Sequence, residues 1–265
     1  MQEKRLSPRT IRYANAVISS AFKQALKWRM LAYNPATLVE LPRESSKEMQ
    51  ALSPEEAMQF LEAVVEDRFG LLLTFALITG MRPEEYLGLQ WKDVDLQKGV
   101  VTIQRTVVWL PKGKSWSFGE PKTTKSRRSI PLPISIVQRL FKHKHKQLEE
   151  RLKKGLEYQN YDLVFASNEG TPIMLRNLVR RHFKPALKRA ELSETLRLYD
   201  LRHSCATLLL SENENPKVVS ERLGHSRINI TLDTYSHVLP SMQQAASDKL
   251  EKLLFSEVAH KRHTK

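Results

Sequence analysis

YDLRHSCATLLLSENENPKVVSERLGHSRINITLDTY, residues 199–235, sets an unusual series of polar side chains beside apolar helical segments. Tyr199-Asp200-Leu201-Arg202-His203 opens an apolar run that reads as a helix over about 200–211. Further helices are expected at about 216–223 and 227–236. Leu223-Gly224-His225 closes the first of these, and Tyr235 follows ten residues after His225. Moving toward the N-terminus, Gly70 to Thr79 is apolar nearly all round and predicts a buried helix that Gly80 stops. Arg82 and Glu85 follow it in Thr79-Gly80-Met81-Arg82-Pro83-Glu84-Glu85.

The rest of the chain supplies a frame for these segments. Ser53-Pro54-Glu55-Glu56 matches a capping box, in which Ser53 and Glu56 satisfy each other's free N–H groups at a helix start. Val100 to Trp109 is rich in β-branched residues, as is Ser129-Ile130, and turn-forming Lys-Gly-Lys and Phe-Gly-Glu lie between them. Together they predict a small antiparallel sheet. Helices are expected at about 134–153 and 175–190, and a tail helix at about 241–255 carries Met242, Ala245, Ala246, Leu250, Leu253 and Leu254 on one face. At the other end, Ser7-Pro8 starts a helix with Ile11, Ala14, Ile18, Ala21 and Phe22 on its apolar side, ended by Asn34-Pro35. Residues 43–51 read as a polar linker. The expected fold class is mainly α with a small antiparallel β-sheet (α+β).

Charge points to the partner. The chain of 265 residues carries 43 Lys+Arg against 29 Asp+Glu, a formal net charge of +14. The excess is clustered: Lys112 to Arg128 has six basic residues and one acid, and Arg139 to Lys146 has four Lys/Arg and two histidines. Arg176 to Arg189 has seven basic residues, counting His182, and no acid. Clusters of this kind suit a polyanion, and three in one basic chain favour nucleic acid over a merely solvated surface. The longest apolar run, Leu71 to Ile78, is far short of the roughly 20 residues of a membrane span. No apolar stretch follows the basic N-terminus, so no signal peptide is read and the protein is expected in the cytoplasm. Cys205 is the single cysteine, so neither an internal disulfide nor a cysteine-rich zinc site is expected.

The polar segments resemble those of the tyrosine recombinases, the phage integrase family. Arg82, the pattern Tyr199-x-x-Arg202, Leu223-Gly224-His225 and Tyr235 stand in the order and approximate spacing of that family's arginine, His-x-x-Arg, Leu-Gly-His and nucleophilic tyrosine. The likeness runs from Leu52 to about Leu254, and Pro121-Lys122-Thr123 through Arg128 resembles the family's β-hairpin lysine segment. Residues 7–42 resemble the last helices of the family's core-binding domain. The implied organisation is a partial helical DNA-binding domain at 1–42, a linker at 43–51 and a catalytic domain with a tail helix at 52–265. Earlier core-binding helices do not occur in this chain, which the resemblance implies to be a fragment.

Each residue type fits the chemistry the resemblance implies. Tyr235 would attack phosphorus and store the bond as a 3′-phosphotyrosyl link, releasing a 5′-hydroxyl. Arg82 and Arg202 would bind the non-bridging oxygens with planar, permanently charged forks. Lys122 would protonate the leaving oxygen, with Lys125 an alternative in the same segment. His225 would hydrogen-bond the phosphate or help with the tyrosine proton, and Glu85 would brace the site. The family most often has histidine where this chain has Tyr199, which can donate a hydrogen bond but is a poor base near neutrality. His203, about 100° round the helix from Arg202, reads as structural. His143 and His145 read as a solvated face.

Lys125, Arg127, Arg128, Arg176, Arg180 and Arg181 are expected on DNA phosphates. No carboxylate cluster suits Mg²⁺, so neither a metal nor another cofactor is expected. The implied partners are double-stranded DNA attachment sites and further copies of the chain in a tetrameric synapse, with the tail helix docking in cis or in trans. A regulator that has lost activity and a type IB topoisomerase are the rival readings.

Overall fold

The structure is a computed structural model and describes residues 6–43, 49–110, 115–121, 126–235, 247–251, 253 and 254. The chain divides into two compact units, Met1–Glu48 and Met49–Lys265.

In the first unit, α1 (Pro8–Lys27) begins where the Ser7 side chain accepts from the Thr10 N–H and Pro8 occupies the first turn. A 3₁₀ turn, Pro35–Leu38, follows. Asn34 holds the two together: its carbonyl oxygen accepts from Ala36 N at 3.0 Å, and its amide donates to the Ser19 backbone and hydroxyl oxygens at 3.2 and 3.0 Å. None of the residues of α1 is fully buried.

The second unit is built around α3 (Gly70–Thr79), which is buried on almost every side as its composition requires. The preceding α2 (Pro54–Ala63) starts with the expected capping box on Ser53 and Glu56. Gly80 ends α3 with φ +63°, and α4 (Pro83–Leu87) leaves immediately. Beyond it lie β1 (Val94–Asp95), β2 (Val100–Ile103), β3 (Thr106–Trp109), β4 (Trp116–Gly119) and β5 (Arg128–Pro131).

These strands correct one expectation, because they form two antiparallel sheets instead of one. The first has the order β1-β2-β5, with Val101 opposite Ile130, and the second pairs β3 with β4, with Trp109 opposite Trp116. The break falls at Gln104-Arg105, where the Arg105 guanidinium pairs with the buried carboxylate of Asp93.

Helices make up the remainder. A long helix, α5 (Ile134–Lys154), is followed by α6 (Leu175–Leu178), a π turn at Val179–Phe183 and α7 (Lys184–Arg189) in one continuous helical path. Then come α8 (Asp200–Ser211), α9 (Pro216–Leu223) and α10 (Ile228–Thr234). Packing of α8 on α3, and of α9 on α8, β5 and α10, brings the polar ends of all these elements to one place.

Of the tail, residues 247–251, 253 and 254 are helical, with Leu250, Leu253 and Leu254 exposed. Met242, Ala245 and Ala246 lie outside the described residues. Among the described residues, no helix is long and apolar enough to cross a membrane.

Candidate active site

Two glycines set the backbone of the site. Gly80, in the left-handed region, turns the chain sharply after α3 and leaves its carbonyl facing α8. Arg202, in the first turn of α8, donates from Nη1 to that carbonyl at 2.8 Å. The Arg202 side chain is only 2% exposed, and its second terminal nitrogen, Nη2, is buried with no hydrogen-bond partner among the described residues. Burial, then the nearby Arg82 charge, lowers the Arg202 pKa to about 10, which leaves it protonated at neutral pH. Asp200 does not neutralise it, because that carboxylate is held by Arg197 at 2.8 Å. Gly224 (φ +69°) ends α9 in the same way and lies against the Arg128 side chain.

A buried carboxylate organises the opposite wall. Glu85, 2% exposed, accepts from Arg82 Nη1 at 2.9 Å and from the Arg82 backbone N–H at 2.9 Å. It also takes both terminal nitrogens of Arg128, at 3.1 and 3.0 Å. Burial pushes the Glu85 carboxyl up, but the hydrogen bond and charge of Arg128, then those of Arg82, outweigh it and hold the group below its ordinary value. Arg82 therefore does not cap α3, a task that falls to Gly80, and its side chain stays 29% exposed.

His225 follows Gly224 and is half-buried. Its Nδ1 lies 2.7 Å from Thr231 Oγ1 of α10. Burial first, then the charges of Arg202, Arg82 and Arg128, lowers its pKa to about 4, so the ring is neutral at pH 7. Tyr235 stands just past the end of α10, with a side chain 1% exposed. Burial raises its pKa against the opposing pull of Arg202. Arg82, Glu85, Tyr199, Gly224 and His225 line one open cleft, which also meets Thr106 and Trp109 of β3.

The structure thus gathers Arg82, Arg202, His225, Tyr199 and Glu85, while Tyr235 is buried behind them with its hydroxyl on His203. Lys122 and Lys125 lie outside the described residues. Arg128 corrects its expectation: with a side chain 7% exposed, its Nε donating to the Arg222 carbonyl at 2.5 Å and its fork on Glu85, it is placed as a strut of the site. Arg127 is exposed and pairs with Glu120 at 3.2 Å, while Arg176, Arg180 and Arg181 are exposed along α6 and the π turn.

His143 is likewise corrected. Its ring is half-buried, with Nε2 2.7 Å from the Val164 carbonyl, whereas His145 is exposed.

His203, expected to be structural, meets the two tyrosines of the site. Its Nδ1 lies 2.9 Å from the Tyr235 hydroxyl, and its ring packs against both Tyr199 and Tyr235 at centroid distances of 5.3 and 6.0 Å. The angle between His203 and Arg202 on α8 is sound as geometry. What it cannot show is that α10 brings Tyr235 to the other side of that helix. The four-residue spacing from Tyr199 to His203 is the available signal.

The profile of the phage integrase family matches residues 50–242, most of the chain. The chain belongs to that family. It is 34% identical over 263 residues to the tyrosine recombinase XerC-like protein of Caldanaerobacter subterraneus subsp. tengcongensis, covering 93% of this chain and 67% of that protein. It is 29% identical over 256 residues to the ICEBs1 integrase of Bacillus subtilis, covering 96% and 68%. Among solved structures, the Tn1549 transposon integrase in complex with transposon right end DNA superimposes with a TM-score of 0.78 at 23% identity, over 94% of this chain and 82% of that one. That likeness carries the fold. The integrase fold and the sequence relatives together make this a tyrosine-type site-specific recombinase. The chain spans about two thirds of the length of these curated relatives.

Proposed function

We propose that the protein integrates or excises a mobile element, cutting and rejoining duplex DNA at attachment sites through a 3′-phosphotyrosyl link to Tyr235. The observation that carries this reading is the buried guanidinium of Arg202, whose Nη2 is unpaired among the described residues, with Arg82, neutral His225 and Tyr235 within reach of its charge. A buried charged donor without a partner is costly unless an anion completes it, and a DNA phosphate is the anion that this arrangement fits.

Each neighbour then has a task. Arg202 and Arg82 neutralise the non-bridging oxygens as negative charge gathers in the pentavalent transition state, and preorganised donors of this type are typically worth about 10²–10³ in rate each. Glu85 fixes the Arg82 fork. In the tautomer whose Nδ1 accepts from the Thr231 hydroxyl, the His225 Nε2–H would donate to the phosphate. Tyr199 adds a neutral hydroxyl donor where it lines the cleft. Lys122 is assigned the proton for the departing 5′-oxygen, with Lys125 the alternative.

Residues 1–42 would contribute the last part of a core-binding domain, and Arg127, Arg176, Arg180 and Arg181 would meet phosphates outside the cleft. Four protomers would exchange strands in a synapse, with the exposed leucines of the tail helix available to a neighbouring protomer. Related structures support DNA as partner: one Tn1549 integrase structure is a complex with circular intermediate DNA.

The test is a recombination assay between two copies of the DNA flanking the gene, with no ATP and with excess EDTA. Recombinant joints are expected under both conditions, because Arg82 and Arg202 neutralise the phosphate. Relaxation of unrelated plasmids without exchange would point to a topoisomerase. Exchange abolished by EDTA and restored by added metal would overturn the mechanism.

A further inference from the structure

We infer that His203 is a catalytic residue, the group that takes the phenolic proton of Tyr235 as the tyrosine attacks and returns it when the strand is rejoined. The inference rests on Tyr235 being the nucleophile. Its geometric basis is the 2.9 Å contact between His203 Nδ1 and the Tyr235 hydroxyl, within the range a proton-transfer pair requires. The other two candidates are worse placed. Tyr199 is itself a phenol, and its ring packs on the imidazole of His203, which packs in turn on Tyr235. His225 directs its Nδ1 to Thr231, and its remaining nitrogen serves the cleft.

In the Nε2–H tautomer of His203 the phenol donates to Nδ1. As the bond from the Tyr235 oxygen to phosphorus forms, the phenolic O–H bond breaks and the proton passes to Nδ1, giving an imidazolium. The bond from phosphorus to the 5′-oxygen breaks, and that oxygen receives its proton from the general acid on the other side. Rejoining reverses each transfer, with the imidazolium protonating the departing phenolate.

The surroundings keep the resting ring neutral and ready to accept. Burial first, then the charges of Arg202 and Arg197, lowers the His203 pKa against the opposing pull of Asp200 three residues earlier. His225 faces it across the site, and the phenols of Tyr199 and Tyr235 flank it. The arrangement explains how a chain with tyrosine at position 199 retains a base.

Single-turnover formation of the protein–DNA adduct on a nicked suicide substrate, followed from pH 5 to 9, tests this in wild type, His203→Asn, His203→Gln and Tyr235→Phe. DNA binding by each variant is measured alongside as a check on folding. Wild type should hold a flat rate above neutrality and fall only below the ordinary histidine range. His203→Asn keeps a hydrogen-bond acceptor for the phenol but cannot take a proton. At pH 7 it should be slower by roughly 10²–10⁴-fold, with a rate that climbs about tenfold per pH unit. Placing 3,5-difluorotyrosine at position 235, which lowers the phenol's pKa, should speed His203→Asn far more than wild type.

A uniform loss at every pH without fluorotyrosine rescue would assign His203 a packing role and overturn the inference, as would wild-type rates in both variants. Adduct persisting in Tyr235→Phe would instead remove the nucleophile reading itself.

Discussion

Glu85 is a single carboxylate on which two guanidinium groups converge, and its loss should be felt in both stability and cleavage. Glu85→Gln keeps the shape but leaves Arg128, 7% exposed, without its counter-charge. Breaking a buried pair of this kind costs about 3–5 kcal/mol, to be read from denaturant unfolding. The same pairing fixes a pH dependence. The Glu85 pKa is lower in the folded protein than its ordinary 4.5, so the unfolded chain binds the proton more readily. Its contribution is therefore complete above about pH 4.5 and lost as the pH falls through the folded value. Wild type should lose stability over that window while Glu85→Gln shows a flatter acid limb, and identical acid limbs would refute the assignment.

At position 199, Tyr199→Phe should slow cleavage by roughly 10- to 100-fold, less than the loss of a charged donor. Tyr199→His should match or exceed wild type. Equal rates in all three proteins would leave Tyr199 a packing residue. At this scale the sequence made Arg82, Arg202 and His225 legible as a set, because residue order and spacing carried them. It did not show the partners of Arg128 and His203, because Glu85 and Tyr235 are remote in sequence and meet them only through packing.

Among the elements, the turn between α3 and α4 has the least tolerance. A Cβ on Gly80 would lie 2.7 Å from Leu223 Cδ2 and 3.2 Å from Cys205 Sγ, in a backbone conformation that disfavours side chains. Gly80→Ala should cost about 1–3 kcal/mol from backbone strain, with the clash in addition. Because the Gly80 carbonyl accepts from Arg202, the rate of adduct formation in the folded fraction should fall too. A variant that loses stability but keeps the full rate would show that this carbonyl does not position Arg202.

The helices were readable for a plain reason: α2, α3, α5, α8 and α9 carry capping residues, stops or long apolar faces. The sheet was not fully readable. β1 has two residues, too few for an alternation, and the break between β2 and β3 falls beside the Arg105–Asp93 pair, a tertiary contact. The π turn inside the helical path over 175–189 leaves no mark in the residue pattern.

Across the whole molecule, the net charge of +14 sets how the protein meets DNA. Arg176, Arg180 and Arg181 are exposed within a stretch free of acidic residues. Replacing them together with alanine should weaken binding to all DNA sequences alike. It should also flatten the dependence of log K on log salt by about 0.9 for each phosphate no longer neutralised. An unchanged slope would place these arginines away from the duplex. The basic clusters were visible in composition, but which of their members face outward was not, as Arg128 demonstrates.

Whether Tyr235 carries the DNA is decided by mapping the covalent adduct. A nicked suicide substrate bearing the attachment site is incubated with the protein, and the SDS-stable product is digested and sequenced by mass spectrometry. A nucleotide is expected on the peptide containing Tyr235, linked through a 3′-phosphate, with no adduct in Tyr235→Phe although that variant still binds DNA. A nucleotide on Tyr199, or an undiminished adduct in Tyr235→Phe, would contradict this assignment.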